Sequence, residues 1–162
     1  MKYVIIEDED PAAQRLVKMI QEIAPGASLI QHIVSIRTAV NWLSENEHPD
    51  VIFMDIQLAD GISFQLFNKI KITCPVIFTT AYESYALQAF KVNSVDYLLK
   101  PIDESDVKRA IDKLKMLQSS RSFAVDYAEI LKTIQPQSKK YRDRFIIKIG
   151  DTIKSLTIAD IA

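Results

Sequence analysis

Four polar groups each follow directly on a short apolar run: Glu7-Asp8-Glu9 after Tyr3–Ile6, Asp55 after Val51–Met54, Thr79-Thr80 at the end of the run from Val76, and Lys100 after Val95–Leu99. If the runs lie side by side as strands, three or four carboxylates converge at one edge. Such a cluster repels itself strongly unless one member protonates or a cation binds. A hard divalent cation is the economical answer, and Mg²⁺ takes one or two carboxylates together with waters and a substrate phosphate. An ammonium at Lys100 beside that metal has a purpose only if an anion also arrives, and Thr80 adds a hydroxyl donor. Carboxylate nucleophile, metal, lysine and hydroxyl are together the parts of phosphoryl transfer, whose transition state needs charge neutralised on the equatorial oxygens and an in-line acceptor.

The elements that must carry these residues alternate. Runs at Tyr3–Ile6, Leu29–Val34, Val51–Met54, Val76–Thr79 and Val95–Leu99 are separated by stretches of helical period, the pattern of parallel strands joined by crossover helices. Asp10-Pro11 reads as a cap followed by proline at the first helical position, ahead of the stripe Leu16, Met19, Ile20 and Ile23. Ser35 opens a second helix with Ala39, Val40 and Leu43 inward. Asp60-Gly61 turns into a third, with Ile62, Leu66, Phe67 and Ile70. Glu83 to Val92 gives a fourth, and Asp103 to Leu117 a fifth with Val107, Ala110, Ile111 and Leu114 at core spacing. The expected fold is α/β, a doubly wound (βα)₅ five-stranded parallel sheet, whose site lies at the carboxyl ends of the strands.

The chain has 162 residues, 48% of them hydrophobic, with a formal net charge of −1. That is room for one domain of about 100–150 residues and a remainder. Only three glycines occur, too widely spaced for a glycine-rich phosphate loop, and one cysteine with two separated histidines supplies neither a zinc site nor a disulfide framework. The start is too short and too charged for a signal peptide, and no apolar run approaches the roughly 20 residues that span a bilayer, so a cytoplasmic location without membrane contact is expected. Charge divides unevenly. Residues 1–100 carry 8 basic and 12 acidic side chains and residues 101–162 carry 12 and 9, with five basic residues between Lys139 and Lys148.

The set resembles the response-regulator receiver domain (flavodoxin/CheY-like) over about residues 1–120, on Glu7-Asp8-Glu9, Val-Ile-Phe-Met-Asp55, Thr80-Ala81 and Tyr97-Leu-Leu-Lys100-Pro101. The resemblance implies a bacterial two-component regulator, a switch and not a turnover enzyme, in which Asp55 accepts a phosphoryl group from a sensor histidine kinase. It implies that Asp8, Asp55 and the backbone carbonyl of Gln57 ligate Mg²⁺, with Glu7 acting through water in place of the commoner aspartate. Thr80 and Lys100 would hold the phosphoryl oxygens and Ala81 would keep the approach open. Gln57 and Tyr82 would set the phosphoryl lifetime by shielding attacking water. Tyr97, coupled to Thr80, would report the state to a face made of the fourth helix, fifth strand and fifth helix, through which a homodimer could form. Lys100–Pro101 is cis in the family.

The stretch from Ala81 to Pro101 resembles the LytTR subfamily in particular. After a linker at 121–144, with a short amphipathic helix at Phe123–Ile134, residues 145–162 resemble the first hairpin of a LytTR DNA-binding domain, which would contact promoter DNA. That segment is far shorter than the whole domain, and the expectation is a truncated chain whose final hairpin is disordered or ordered only by another chain. The alternative is a receiver-only module acting through protein contacts. A haloacid-dehalogenase-type phosphatase needs a second aspartate two residues after the nucleophile, where Gln57 stands, and a flavodoxin-like phosphate site conflicts with three carboxylates in the first loop. His32 and His48 are expected at strand ends or the surface with no catalytic part, Cys74 as a small buried apolar residue, and the methionines at core positions.

Overall fold

The computed structural model describes residues 1–82, Tyr85, Ala89, Val92, 94–120, and the strand segments 144–149 and 152–157. The chain divides into two units, Met1–Ser122 and Phe123–Ala162. In the first, β1 (Lys2–Ile6), β2 (Ser28–Ile33), β3 (Val51–Asp55), β4 (Val76–Thr80) and β5 (Ser94–Leu99) form a five-stranded sheet in the order β2-β1-β3-β4-β5. Every pairing in it is parallel. The described α-helices of this unit are α1 (Asp10–Ile23), α2 (Ile36–Glu45), α3 (Leu66–Lys69) and α4 (Glu104–Ser120). The expected fourth helix, Glu83–Val92, lies largely outside the described residues.

Strand side chains alternate between faces, so one chain builds two cores. Tyr3, Ile5, Phe53 and Ile77 pack with Leu16 and Ile20 of α1 and with Val107, Ile111 and Leu114 of α4. Val4, Ile6, Ile52, Met54 and Phe78 pack on the other face with Ile36, Ala39 and Leu43 of α2 and Leu66 of α3. The strands β1, β3 and β4 are buried almost throughout, whereas β2, at the sheet edge, exposes Ser28–Gln31.

The helix starts correct two expectations. Asp10 does not cap α1: it is the first helical residue, Pro11 follows it, and the flanking Glu9 makes no side-chain cap bond. The extended backbone of Glu9 places its carbonyl to accept Ala13 N–H at 3.0 Å, which puts the boundary one residue earlier. Ile62 belongs to no helix. Gln57–Leu58 and Gly61–Ile62 form a two-residue antiparallel ribbon, followed by a single 3₁₀ turn and the four-residue α3. Gly61 has φ +136°, a conformation that costs an L side chain dearly. Met116 is 68% exposed on α4, while Met19 and Met54 are buried.

Ser35 caps α2 as its type suggests, accepting Thr38 N–H at 3.1 Å. Asp60 adds a second cap from 24 residues away, its two carboxylate oxygens accepting Ile36 N–H at 2.9 Å and Arg37 N–H at 3.1 Å. Burial alone would raise its pKa, but those backbone donors outweigh it and hold the carboxyl below its ordinary 3.8. Asp60→Ala is therefore expected to lose about 1 kcal/mol in urea unfolding at pH 7. A depressed pKa stabilises above the unfolded value and stops doing so as pH falls through the folded one, so the gap between parent and variant should close below pH 3.8.

Cys74 is half-buried, and burial pushes its thiol up to about 11 from 9.0. Alkylation by iodoacetamide at pH 8 is expected to run about 100-fold slower in the folded chain than in urea, following the thiolate fraction.

In the second unit, β6 (Arg144–Ile149) and β7 (Thr152–Thr157) pair antiparallel from Arg144 opposite Thr157 to Ile149 opposite Thr152. Gly150-Asp151, which joins the two strands in sequence, and the expected amphipathic helix at Phe123–Ile134 lie outside the described residues.

Candidate functional site

Register decides where the polar residues emerge. Ile6 pairs with Met54, Asp55 with Thr79, and Thr80 with Leu99, so Glu7, Asp55, Thr80 and Lys100 leave the sheet along one edge. Glu7 donates its N–H to the Ile33 carbonyl at 2.9 Å, prolonging the ladder by one residue before the chain turns toward α1. The carboxylate oxygens of Glu7, Asp8 and Asp55 come within 4.8 Å of one another. Glu7 and Asp55 are nevertheless buried, at 3% and 6% exposure.

Lys100 lies against this cluster. Its Nζ donates to Asp55 Oδ2 at 2.6 Å and reaches Glu7 Oε2 at 2.8 Å. A cis peptide joins Lys100 to Pro101, and Lys100 N–H donates to the Thr80 carbonyl at 2.7 Å. Burial alone would lower the ammonium's pKa, but the bonds and charges of Asp55 and Glu7 outweigh it and raise it. Burial also raises the Glu7 carboxyl, aided by the charge of Asp55 and opposed by the bond from Lys100. Three carboxylates facing one ammonium leave negative charge uncompensated. An all-oxygen donor set with that surplus fits a hard divalent cation.

The loop after Asp55 closes the second side. Gln57 N–H donates to Asp55 Oδ1 at 3.0 Å and Ala59 N–H to Asp8 Oδ2 at 2.9 Å, so the ribbon holds two of the three carboxylates by backbone donors. The Gln57 side chain reaches the Tyr85 hydroxyl at 3.4 Å. On the third side Thr80 is fully buried, and its Oγ1 accepts Tyr82 N–H at 3.2 Å. Ala81 and Tyr82 are exposed, which leaves the edge open to an incoming group. The Tyr97 hydroxyl donates to the Tyr82 carbonyl, linking β5 to the segment that follows Thr80.

Apart from Tyr97, which lies within β5 and reaches the segment after Thr80 through its hydroxyl, the residues expected at the site fall at this edge or in the loops around it, with Glu7, Asp8, Asp55 and Lys100 in a single cluster. Two neighbours were not expected there. His32 Nε2 is 2.8 Å from the Glu7 carbonyl, and Asp60 anchors the ribbon to α2. Nothing in their spacing announces this, because both bond backbone groups 23 to 25 residues away.

Residues 4–112 match the family described as the response regulator receiver domain. The chain is 35% identical over 124 residues to the sensory transduction protein LytT of Bacillus anthracis, covering 75% of this chain and 50% of that one. It is 34% identical over 118 residues to the transcriptional regulatory protein LytR of Staphylococcus aureus, covering 71% and 47%. The chain spans about half the length of the curated relatives it matches. Among solved structures, the response regulatory domain of protein mrkE from Klebsiella pneumoniae aligns with TM-score 0.64 and 28% identity, over 74% of this chain and 99% of that one. The response regulator PhyR from Brucella abortus aligns at 0.65 and 28%, over 78% and 52%. Among the described residues, no helix is long and apolar enough to cross a membrane.

Proposed function

This chain belongs to the response-regulator receiver family, and we propose that it is the phosphoacceptor switch of a bacterial two-component system in which Asp55 takes a phosphoryl group from a sensor histidine kinase. The observation that carries the assignment is Lys100 Nζ at 2.6 Å from a buried Asp55 whose carboxylate shares its edge with Glu7 and Asp8. An Asp55 oxygen attacks phosphorus, the bond from phosphorus to the donor nitrogen breaks, and an acyl phosphate forms. Lys100 then turns from the carboxylate to the phosphoryl oxygens, and the Thr80 hydroxyl offers a further donor. Asp8, Asp55 and the Gln57 carbonyl would hold Mg²⁺, with Glu7 acting through water. A cation held there would supply positive charge against the phosphoryl oxygens.

Gln57 and Tyr82 flank the open approach and govern how readily water attacks the acyl phosphate, so the chain's own dephosphorylation is slow and self-directed. Tyr97, bonded to the Tyr82 carbonyl, carries the state of Thr80 toward the face of β5 and α4, where a second copy would dock. The name of the LytR relative, a transcriptional regulatory protein, supports a role in transcription, which this chain would serve in the cytoplasm by reaching promoter DNA through a LytTR-type output domain.

Incubation with acetyl phosphate and Mg²⁺ is expected to add about 80 Da by intact mass, and EDTA to prevent it. A parent chain that gains no mass under these conditions overturns the reading.

A further inference from the structure

The end of β2 contributes a side chain to the acidic loop. The parallel ladder between β1 and β2 finishes at Glu7 N–H on the Ile33 carbonyl, and the next residues of β2's chain, Val34 and Ser35, lead into α2. The Glu7 carbonyl accepts from His32 Nε2 at 2.8 Å, in a part-buried position. A carbonyl can only accept, so Nε2 carries the hydrogen. The other ring nitrogen, Nδ1, lies 3.8 Å from Asp10 Oδ1, so one imidazole reaches both ends of Glu7-Asp8-Glu9-Asp10. The Asp10 carboxylate is 76% exposed and contributes little; the bond to the Glu7 carbonyl is the strong contact. On its opposite side the loop is held by Ala59 N–H on Asp8.

We propose that His32 is a positioning residue for the cation-binding loop: by donating Nε2–H to the Glu7 carbonyl it fixes the backbone from which the Glu7 and Asp8 carboxylates project. Without that donor the part-buried Glu7 carbonyl goes unpaired, and the loop loses its side-chain tie to the end of β2. The orientation of ligands by groups behind them governs metal affinity in general. This inference rests on the cation reading above, and its test separates the two. Gln places an amide nitrogen near the position of Nε2, whereas Asn falls short of it.

The measurement is Mn²⁺ binding to the chain, read from the electron paramagnetic resonance of the free ion, for parent, His32→Gln, His32→Asn and His32→Leu. Parent and His32→Gln are expected to bind alike, and His32→Asn and His32→Leu about tenfold more weakly. A space-filling role instead predicts no separation of Gln from Asn, and equal affinities for those two variants overturn the inference alone. If the parent binds no Mn²⁺, the cation reading and this inference fall together. Should His32→Leu fail to fold, the Gln and Asn pair decides.

Discussion

Asp55→Asn, incubated with acetyl phosphate and Mg²⁺, is expected to gain no mass, where the parent gains about 80 Da. The substitution keeps the side chain's size and removes its nucleophilic charge. Asp55 is 6% exposed, with Oδ1 accepting Gln57 N–H and Oδ2 accepting Lys100 Nζ, so the amide fits the same space. One of its oxygens becomes an NH₂ facing a donor, which costs about 1 kcal/mol. Against that stands the relief of one carboxylate among three. The variant should therefore unfold in urea within about 1 kcal/mol of the parent, which separates lost chemistry from lost fold. Any mass gained by a folded Asp55→Asn chain would place the acceptor elsewhere.

Lys100→Met tests the other half of the cluster and should have the largest effect on stability. Methionine replaces the stem without the charge, leaving Glu7 and Asp55 as buried carboxylates with no ammonium between them. Removing one partner of a buried pair costs about 3–5 kcal/mol, and Lys100's 21% exposure reduces this to about 2–4 kcal/mol in urea without divalent ions. Added Mg²⁺ should recover much of the loss, because it supplies the missing positive charge to the same oxygens. Phosphorylation by acetyl phosphate should still slow by about 100-fold or more, since the donor to the phosphoryl oxygens is gone.

The pH dependence of the two chains follows from the same contacts. Glu7 already has a raised pKa, and Lys100→Met deletes the hydrogen bond that opposes the rise. A carboxyl whose folded pKa lies above the unfolded one loses stability as pH climbs from its ordinary 4.5 toward the folded value. The variant should lose stability more steeply than the parent over that range. In the parent, the raised Lys100 pKa contributes fully below 10.5 and is lost only as pH passes above its folded value.

Several misreadings of the sequence share one cause. Asp10-Pro11 has the composition of a cap and first turn, yet the boundary falls at Glu9, whose extended backbone lets its carbonyl accept from Ala13 N–H. Ile62 fits a helical stripe with Leu66 and Ile70, but the cap that Asp60 gives α2 and the positive φ of Gly61 turn it into a ribbon. His32 lies at a strand end as expected, and what its residue type does not announce is its partner, a main-chain carbonyl 25 residues distant. In each case the deciding contact is to backbone, which carries no residue-type signature.

By itself the sequence determined the strand and helix alternation, the buried stripes Val107, Ala110, Ile111 and Leu114, and the carboxylates, hydroxyls and lysine at the ends of apolar runs. These follow from periodicity and residue type, which local physics reads directly. Only the tertiary structure decided that Lys100 Nζ rests between Glu7 and Asp55, that Ala59 and Gln57 grip Asp8 and Asp55, and that His32 and Asp60 tie the loops on either side. The reason is geometric. Parallel pairing brings strand ends 45 to 93 residues apart to one edge, and the fit of donor to acceptor there depends on register and loop path.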